Sequence, residues 1–459
     1  MALIRSINPV DGTELAAFEE DVPGVVEEKL SSASTAVAAL AAAGWEQRAS
    51  WMHAAAELLQ AEADDVAEMV TAEMGKPLAQ SRAEVDKSVY TMRYYADNAR
   101  QLLTGRELED PSIVSASVAR TRFDPLGVVL AVMPWNYPIW QVVRFAAPAL
   151  MAGNAGVLKH ASNVPQSARY LGGLFVRAGF PEGSFATVLI GASRVEEIIR
   201  DPRVAAVTLT GSEGAGRAIA TAAGDVLKKA VLELGGSDPF IVMPSADIPA
   251  AVETAVKART SNNGQACINA KRFIVHSEVY DQFEKLFAEQ MASLVIGNPM
   301  DASTDIGPLA TAAGRSDIEE LVDDAIAKGA RLLTGGRSGD GAGWYYPPTV
   351  IADLSEDMRL FGEEAFGPVA SLYRVDSLDE ALALANRSDF GLGSAFWSND
   401  PDEIARAERG IEAGAVFVNG MTISYAELPF GGIKRSGYGR ELSAEGIREF
   451  CNLKTVWVA

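Results

Sequence analysis

The alternation of apolar and polar positions changes rhythm twice along this chain. From Val25 to about Leu103 the sequence is rich in Ala, Glu and Leu and reads as helix after helix, punctuated by Gly44 and by Gly75-Lys76-Pro77. A Ser-rich stretch, SIVSASVARTRF (112–123), then shows partial alternation and predicts a strand. From 126 onward, short unbroken apolar runs alternate with helical patterns. The runs are LGVVLAVM (126–133), AGVLK (155–159), ATVLI (186–190), VAAVTLT (204–210) and AVLEL (230–234). Strands without a polar face, separated by helices, predict a parallel sheet covered on both sides.

After residue 237 the pattern restarts. PFIVM, RFIVH, PTVIA, VASLYRV, SAFWS and AVFVNG alternate with helices expected near 247–260, 278–294, 316–328, 377–386 and 400–410. This predicts a second α/β unit. The last run, LKTVWVA, has no hairpin partner nearby. An unpaired apolar edge is an aggregation hazard, so this segment and 112–123 are expected to pair with other strands, either across a subunit boundary or as a local edge.

At 459 residues the chain is long for one core and suits two or three domains. Its net charge of -21 argues against a general nucleic-acid binder, while leaving room for a local basic pocket. Two cysteines cannot build a disulfide framework, and with three scattered histidines they argue against a zinc site. Thiol scarcity, an N-terminus without an apolar leader and the lack of any long apolar run give a cytoplasmic protein as the expectation.

Cys267 stands in NNGQACIN, among small polar residues that a core cysteine does not require. The preceding Gly lets backbone approach a ligand closely, so the thiol is a candidate nucleophile, with packing as the alternative. Cys451, between Phe and Asn, reads as packing. Glu233, in LELGG, ends a buried strand; it is either a base with a raised pKa or a salt-bridge partner. In MPWNYP (133–138) two prolines fix a turn around Trp135, Asn136 and Tyr137. Asn136 can direct its amide at an oxyanion or simply close its own turn. TLTGSEGAG (208–216) joins strand to helix through glycines, a weak phosphate-cradling signal. VLKHASN ends another strand with Lys159 and Ser162, suited to a ribose or phosphate.

PWN, the strand-end Lys, TGS, LELGG, GQxC, EExFGP (363–368) and PFGGxKxSG (429–437) follow one another in an order that resembles the aldehyde dehydrogenase superfamily, nearly end to end. LKHASN, LELGGSDPF and ELPFGG with KRSGYGREL look like its NADP-using succinate-semialdehyde dehydrogenases. The resemblance implies an α/β fold with a Rossmann-type cofactor domain over 1–111 and 126–234. It also implies a second α/β catalytic domain over 235–427, with oligomerisation strands at 112–125 and 440–459. A homodimer or homotetramer is the expected assembly.

By the same resemblance, Cys267 attacks the aldehyde carbon, Asn136 and the Cys267 N–H hold the oxyanion, and Glu233 activates water on the thioester. Lys159, with His160, Ala161 and Ser162, is placed on the adenosine ribose. Gly211 and Ser212 meet the pyrophosphate, Glu364 beside Phe366 holds the nicotinamide ribose, Trp135 lies beside the cofactor, and the Leu234 backbone meets the carboxamide. Ser162 occupies a position where NAD-preferring members often carry a glutamate. A hydroxyl there removes repulsion of a 2′-phosphate, so NADP is expected as the preferred cofactor and NAD as a tolerated one.

For the substrate, Arg144 is the expected carboxylate clamp, with Ser424 as a hydroxyl donor and a surface salt bridge as the alternative for Arg144. The chain departs from some members in having Ser261 where they carry an arginine, and Arg259 lies two positions further back. Asn269 replaces a second cysteine, so no disulfide switch is expected. His160 and Leu209 also depart from the family's usual Pro and Phe. Rival readings are a dehydrogenase of glutarate semialdehyde or an aliphatic aldehyde, a CoA-acylating relative, a non-catalytic structural homologue and a cysteine hydrolase. Glu233 argues against the second, the retained site residues against the third, and the absence of a partner histidine against the fourth.

Overall fold

The computed structural model describes residues 3–339 and 341–459. A six-stranded sheet runs in the order Gly437–Tyr438, Lys229–Glu233, Val204–Thr210, Val128–Met133, Ala155–His160, Phe185–Thr187; all its pairs are parallel except that of the first strand. A seven-stranded sheet runs Arg331–Thr334, Thr349–Ala352, Val369–Val375, Ala270–His276, Asp238–Val242, Ala395–Trp397, Phe417–Val418, again parallel but for its first strand. Buried strands such as Val128–Met133, and Ala155–His160 up to its Lys159-His160 end, are apolar on both faces because helices cover both sides. The chain passes from one sheet to the other in the four residues between Glu233 and Asp238. The carboxyl ends of the first sheet therefore face the start of the second, the usual place for a ligand in an open α/β sheet.

The helical N-terminal region forms four helices, Pro23–Ala42, Gly44–Ala61, Ala63–Met74 and Leu78–Leu102. This layer also supplies buried carboxylates to helix starts in the sheet layer. Glu73 accepts from the backbone N–H of Gln166 and Ser167 at 2.8 and 3.0 Å, at the start of the helix Pro165–Arg177. Glu84 accepts from Ile139 and Trp140 at 2.7 and 2.8 Å, at the start of Trp140–Ala152. Each satisfies N–H groups a helix cannot pair internally and adds negative charge at the positive end of its dipole.

Three segments differ from the pattern-based expectations. An antiparallel hairpin, Leu3–Ile7 with Glu14–Glu19, precedes the helices; it is too short and too exposed to have shown clearly. The run 186–190 keeps strand geometry only over Phe185–Thr187, because Leu189 turns away to exchange bonds with Asp21, N–H to Oδ2 at 2.9 Å and O to the Asp21 N–H at 2.7 Å. In 112–123, a 3-10 turn capped by Asp110 occupies Pro111–Val114 and the strand starts at Val118. Its partner is the last strand, Cys451–Val458, paired antiparallel through eight residues from Cys451↔Pro125 to Val458↔Val118. No helix among the described residues is long and apolar enough to cross a membrane.

Candidate active site

Cys267 sits just before the strand Ala270–His276, at the end of a tight backbone reversal. Asn262, Asn263 and Gly264 adopt left-handed φ values of 60°, 56° and 74° in succession. Asn tolerates that region better than most residues, and Gly does so freely, which accounts for the Asn-Asn-Gly before the thiol. The reversal is pinned from several directions. Asn263 Nδ2 donates to Gly75 and Pro308 O, both at 2.9 Å. Asn269 Nδ2 donates to Ala258 O at 2.7 Å. Arg259, fully buried, donates to Gly264 O and to Ala270 O, so it braces this loop rather than lining a cavity.

The thiol lies between two cavities. On one side Cys267 shares a cavity with Trp135, Asn136, Gly211, Ser212, Leu234, Glu364 and Phe366. On the other it shares a cavity with Lys87, Arg144, Ser261, Ser424 and Phe430. Six segments distant in sequence therefore converge on one sulfur.

Asn136 reaches across rather than closing its own turn: Nδ2 donates to Gln265 O at 2.9 Å, and Asn262 Nδ2 donates to Asn136 O at 2.9 Å. Beneath the turn, Lys76 is fully buried, ion-paired with Glu84 and 4.4 Å from the Tyr137 ring centroid. His160 supports the turn from behind. Its Nε2 is 2.9 Å from Pro138 O, and its Nδ1 accepts from the Ala161 N–H at 2.9 Å. Burial pushes its pKa down to about 4, so the ring is neutral and faces the protein.

At the neighbouring strand ends, Lys159 has no hydrogen-bond or ion-pair partner for its Nζ among the described residues. Ser162 is exposed. Ser212 caps the helix Glu213–Asp225, accepting from the Ala215 N–H at 3.3 Å. Trp135 and Phe366 meet edge to face, centroids 5.7 Å apart. Glu364 Oε1 accepts from the Gly236 N–H at 3.1 Å and from Lys271 Nζ at 3.0 Å. Lys271 also donates to the carbonyls of Ala266 and Cys267, at 2.9 and 2.7 Å, tying the nucleophile loop to that carboxylate. The glycines of LELGG permit these approaches: a Cβ on Gly235 would stand 2.5 Å from Glu364 Oε2, and one on Gly236 2.6 Å from Cys267 O.

Glu233 is 1% exposed and, among the described residues, lines neither cavity. It packs on Gly431, where an added Cβ would lie 2.6 Å from Oε1. Burial, then the charge of Glu441, raise its pKa to about 8, with Arg144 and Arg440 opposing. Burial also pushes the Cys267 thiol up to about 12, with Lys271 and Arg144 opposing, so the resting group is a thiol. Arg144 is 3% exposed; Nη2 pairs with Glu441 Oε2 at 2.6 Å and donates to Thr210 Oγ1 at 3.0 Å. The surface alternative for this arginine is therefore excluded.

Lys271, Glu441 and Ser436 were not singled out by sequence reasoning. Ser436 Oγ donates to Gly235 O at 2.7 Å and accepts from Gly391 N at 3.0 Å, while its carbonyl takes the Leu234 N–H at 2.9 Å. Its motif, PFGGxKxSG, thus knits the LELGG segment in place. Cys451 is buried with Sγ 3.4 Å from Ile447 O, consistent with packing.

A thiol flanked by an amide, between a cavity rich in cofactor-type contacts and one lined by cations, is the arrangement expected of a thiol-dependent aldehyde oxidiser. The model of the aldehyde dehydrogenase family matches residues 2–456. The chain belongs to the aldehyde dehydrogenase family. It is 58% identical over 464 residues to the succinate-semialdehyde dehydrogenase [NADP(+)] of Mycobacterium avium (strain 104), covering 99% of this chain and 96% of that one. It is 62% identical over 412 residues to succinate-semialdehyde dehydrogenase [NADP(+)] 1 of Mycobacterium ulcerans (strain Agy99), covering 90% of each. Among solved structures, the succinic semialdehyde dehydrogenase from Streptococcus pyogenes in complex with NADP+ superposes with a TM-score of 0.96 at 37% identity, over 99% of both chains. Gox0499 superposes with a TM-score of 0.97 at 38% identity over the whole of both. The expected aldehyde-dehydrogenase α/β fold is borne out by these superpositions.

Proposed function

We propose that this aldehyde dehydrogenase oxidises succinate semialdehyde to succinate with NADP as preferred cofactor. The observation that carries the reading is the position of Cys267 between two cavities of opposite character, one with ribose- and phosphate-type contacts and one with cations. The residues present fit a dinucleotide: an unpartnered Lys159, the exposed Ser162 hydroxyl, the helix start at Ser212 and the Glu364 carboxylate. Ser162 carries no charge to repel a 2′-phosphate, and Lys159 offers one to attract it.

Bound NADP supplies the hydride acceptor. The chain's own groups do the rest. Cys267 must lose its proton, and its raised pKa makes a base necessary. Glu233 is that base once its side chain swings from Gly431 toward the cavity. The thiolate then bonds to the aldehyde carbon. The free Nδ2–H of Asn136 and the N–H of Cys267 hold the resulting oxyanion, a contribution of about 3–4 kcal/mol where an Asn fills this role. After oxidation the acyl group remains on sulfur as a thioester. Once Glu233 has released the Cys267 proton to solvent it takes a proton from water, the C–O bond forms, the C–S bond breaks, Glu233 returns its proton to the leaving thiolate, and the product departs as a carboxylate with its own proton lost to solvent. Arg144 and Ser424, on the far cavity, face the substrate's own carboxylate. The cofactor and catalytic domains follow the two sheets, and the assembly is a homo-oligomer through the ribbon of the last strand.

The test is a panel of succinate, glutarate and uncharged aldehydes with NADP or NAD, with and without CoA, following reduced nicotinamide. The expected result is CoA-independent turnover with kcat/KM highest for succinate semialdehyde and NADP, abolished by Cys267→Ala. Preference for an uncharged aldehyde or for NAD, or a Cys267→Ala protein with full turnover, would refute the reading.

A further inference from the structure

The cavity beyond Cys267 needs a positive charge to hold a carboxylate, and Arg144 is poorly placed to supply it alone. Its guanidinium is already balanced by Glu441 at 2.6 Å, so the pair presents little net charge. At the position where some members carry a second arginine there is Ser261, and Arg259 is turned into the loop. One other cation lines this cavity. Lys87 projects from the helix Leu78–Leu102, one turn after Glu84, so that Gln80, Glu84 and Lys87 line the same wall. Among the described residues no carboxylate lies within salt-bridge distance of its Nζ. Glu84 is spent on Lys76 and on two backbone N–H groups. Lys87 instead rests over the Trp140 ring, 4.4 Å from the centroid, and donates to Ser424 Oγ at 2.7 Å. A hydroxyl that accepts from an ammonium has its own proton free to donate elsewhere. The two groups together offer a charge and an O–H donor.

We propose that Lys87, with the Ser424 hydroxyl it orients, is the main cationic contact for the substrate's carboxylate. This rests on the functional reading above and adds a residue to it. Lys87 determines specificity by charge: a semialdehyde with a terminal carboxylate satisfies a half-buried ammonium that an alkyl aldehyde leaves unpaired. The groups facing Lys87 are Arg144 from the helix Trp140–Ala152, Glu84 on its own helix, Cys267 from the nucleophile loop and the neutral Ser424. Burial, then the Arg144 charge, bring its pKa down to about 8, with Glu84 opposing. The clamp therefore weakens as the solution passes above about pH 8.

The experiment compares Lys87→Met and Lys87→Arg with the parent enzyme on succinate semialdehyde and butanal. It also measures succinate binding to each in a Cys267→Ala background, by calorimetry and by Trp fluorescence. For Lys87→Met we expect KM for the semialdehyde and the Kd for succinate to rise about 10- to 100-fold, with kcat changing far less. The preference for semialdehyde over butanal should collapse, and Lys87→Arg should restore much of it. In the parent, KM for the semialdehyde should climb above about pH 8, and in Lys87→Arg it should not. Equal losses on both aldehydes would mark Lys87 as a packing residue and overturn the proposal, as would succinate binding that is unchanged in Lys87→Met. Lys87-dependent succinate binding in a protein that does not oxidise the semialdehyde would uphold the clamp and strike only the functional reading.

Discussion

Glu233 and Glu441 lie together in a compartment closed to solvent, 1% and 3% exposed, and the charge of one raises the pKa of the other. Glu441 is itself raised by burial, with Arg144 opposing. Near neutral pH the pair therefore retains at least one proton between them. The base proposed for thioester hydrolysis is thus mostly protonated at pH 7 and becomes competent as the solution turns alkaline.

The pH dependence follows with a definite sign. Turnover should rise through a midpoint near pH 8, where Glu233 ionises. Glu441→Gln removes one charge that opposes ionisation, so its midpoint should move to lower pH. Glu233→Gln should slow steady turnover by about 10²- to 10⁴-fold and suppress any initial burst of reduced cofactor, because the same carboxylate deprotonates Cys267 and the hydrolytic water. Stability gives an independent check. A carboxyl whose folded pKa lies above its unfolded value favours the fold below the unfolded pKa, and that contribution is lost as pH rises through the folded one. Glu233→Gln should therefore gain Tm over the parent at about pH 9 relative to about pH 6. A flat rate profile across that range, with no differential change in Tm, would contradict the assignment.

Cofactor choice is the second prediction, and it depends on Ser162 and Lys159. Ser162 is exposed beside a lysine with no protein partner. Ser162→Glu places a negative charge where a 2′-phosphate would lie and an acceptor where a 2′-hydroxyl would lie. The kcat/KM for NADP should fall about 10- to 100-fold while that for NAD holds or improves. Raising ionic strength should shrink the difference, because the site is open to solvent. An unchanged cofactor ratio would remove Ser162 from the discussion.

Much of the fold was legible because parallel strands buried on both faces leave unbroken apolar runs; Val128–Met133 and Ala270–His276 are of this kind. The nucleophile was legible because the left-handed backbone before it demands Asn and Gly, a local requirement written next to Cys267. Lys271, Ser436 and Glu441 were not. Each acts through contacts with residues far away in the chain, such as Lys271 with Glu364 and Ser436 with Gly235, and no local pattern marks a lysine or serine for that work. Arg144 was legible as a charge near the site, but its pairing with Glu441 was not, and that pairing changes what the arginine can do.

The last prediction concerns the ribbon formed by Val118–Pro125 and Cys451–Val458. A two-stranded ribbon is marginal in water by itself. This one nevertheless exposes Leu453 and Trp457, 58% and 52% accessible, two residues of the same face. Beside the ribbon's far end stands Ile113, 77% accessible. Trp457 is held outward by a bond from its indole Nε1 to Val114 O at 2.9 Å. Lys454, on the other face, is paired with Asp124 in the facing strand, which fixes the register of the ribbon without covering its apolar side. Covering that side with another copy of the chain would recover about 1.5–3 kcal/mol for each large apolar side chain buried. We therefore expect light scattering to report a dimer or tetramer for the parent. Leu453→Glu with Trp457→Glu should shift it toward the monomer mass, lower Tm and leave the secondary structure intact by circular dichroism. A monomeric parent, or an oligomer indifferent to both substitutions, would show that this apolar face is not where the subunits meet.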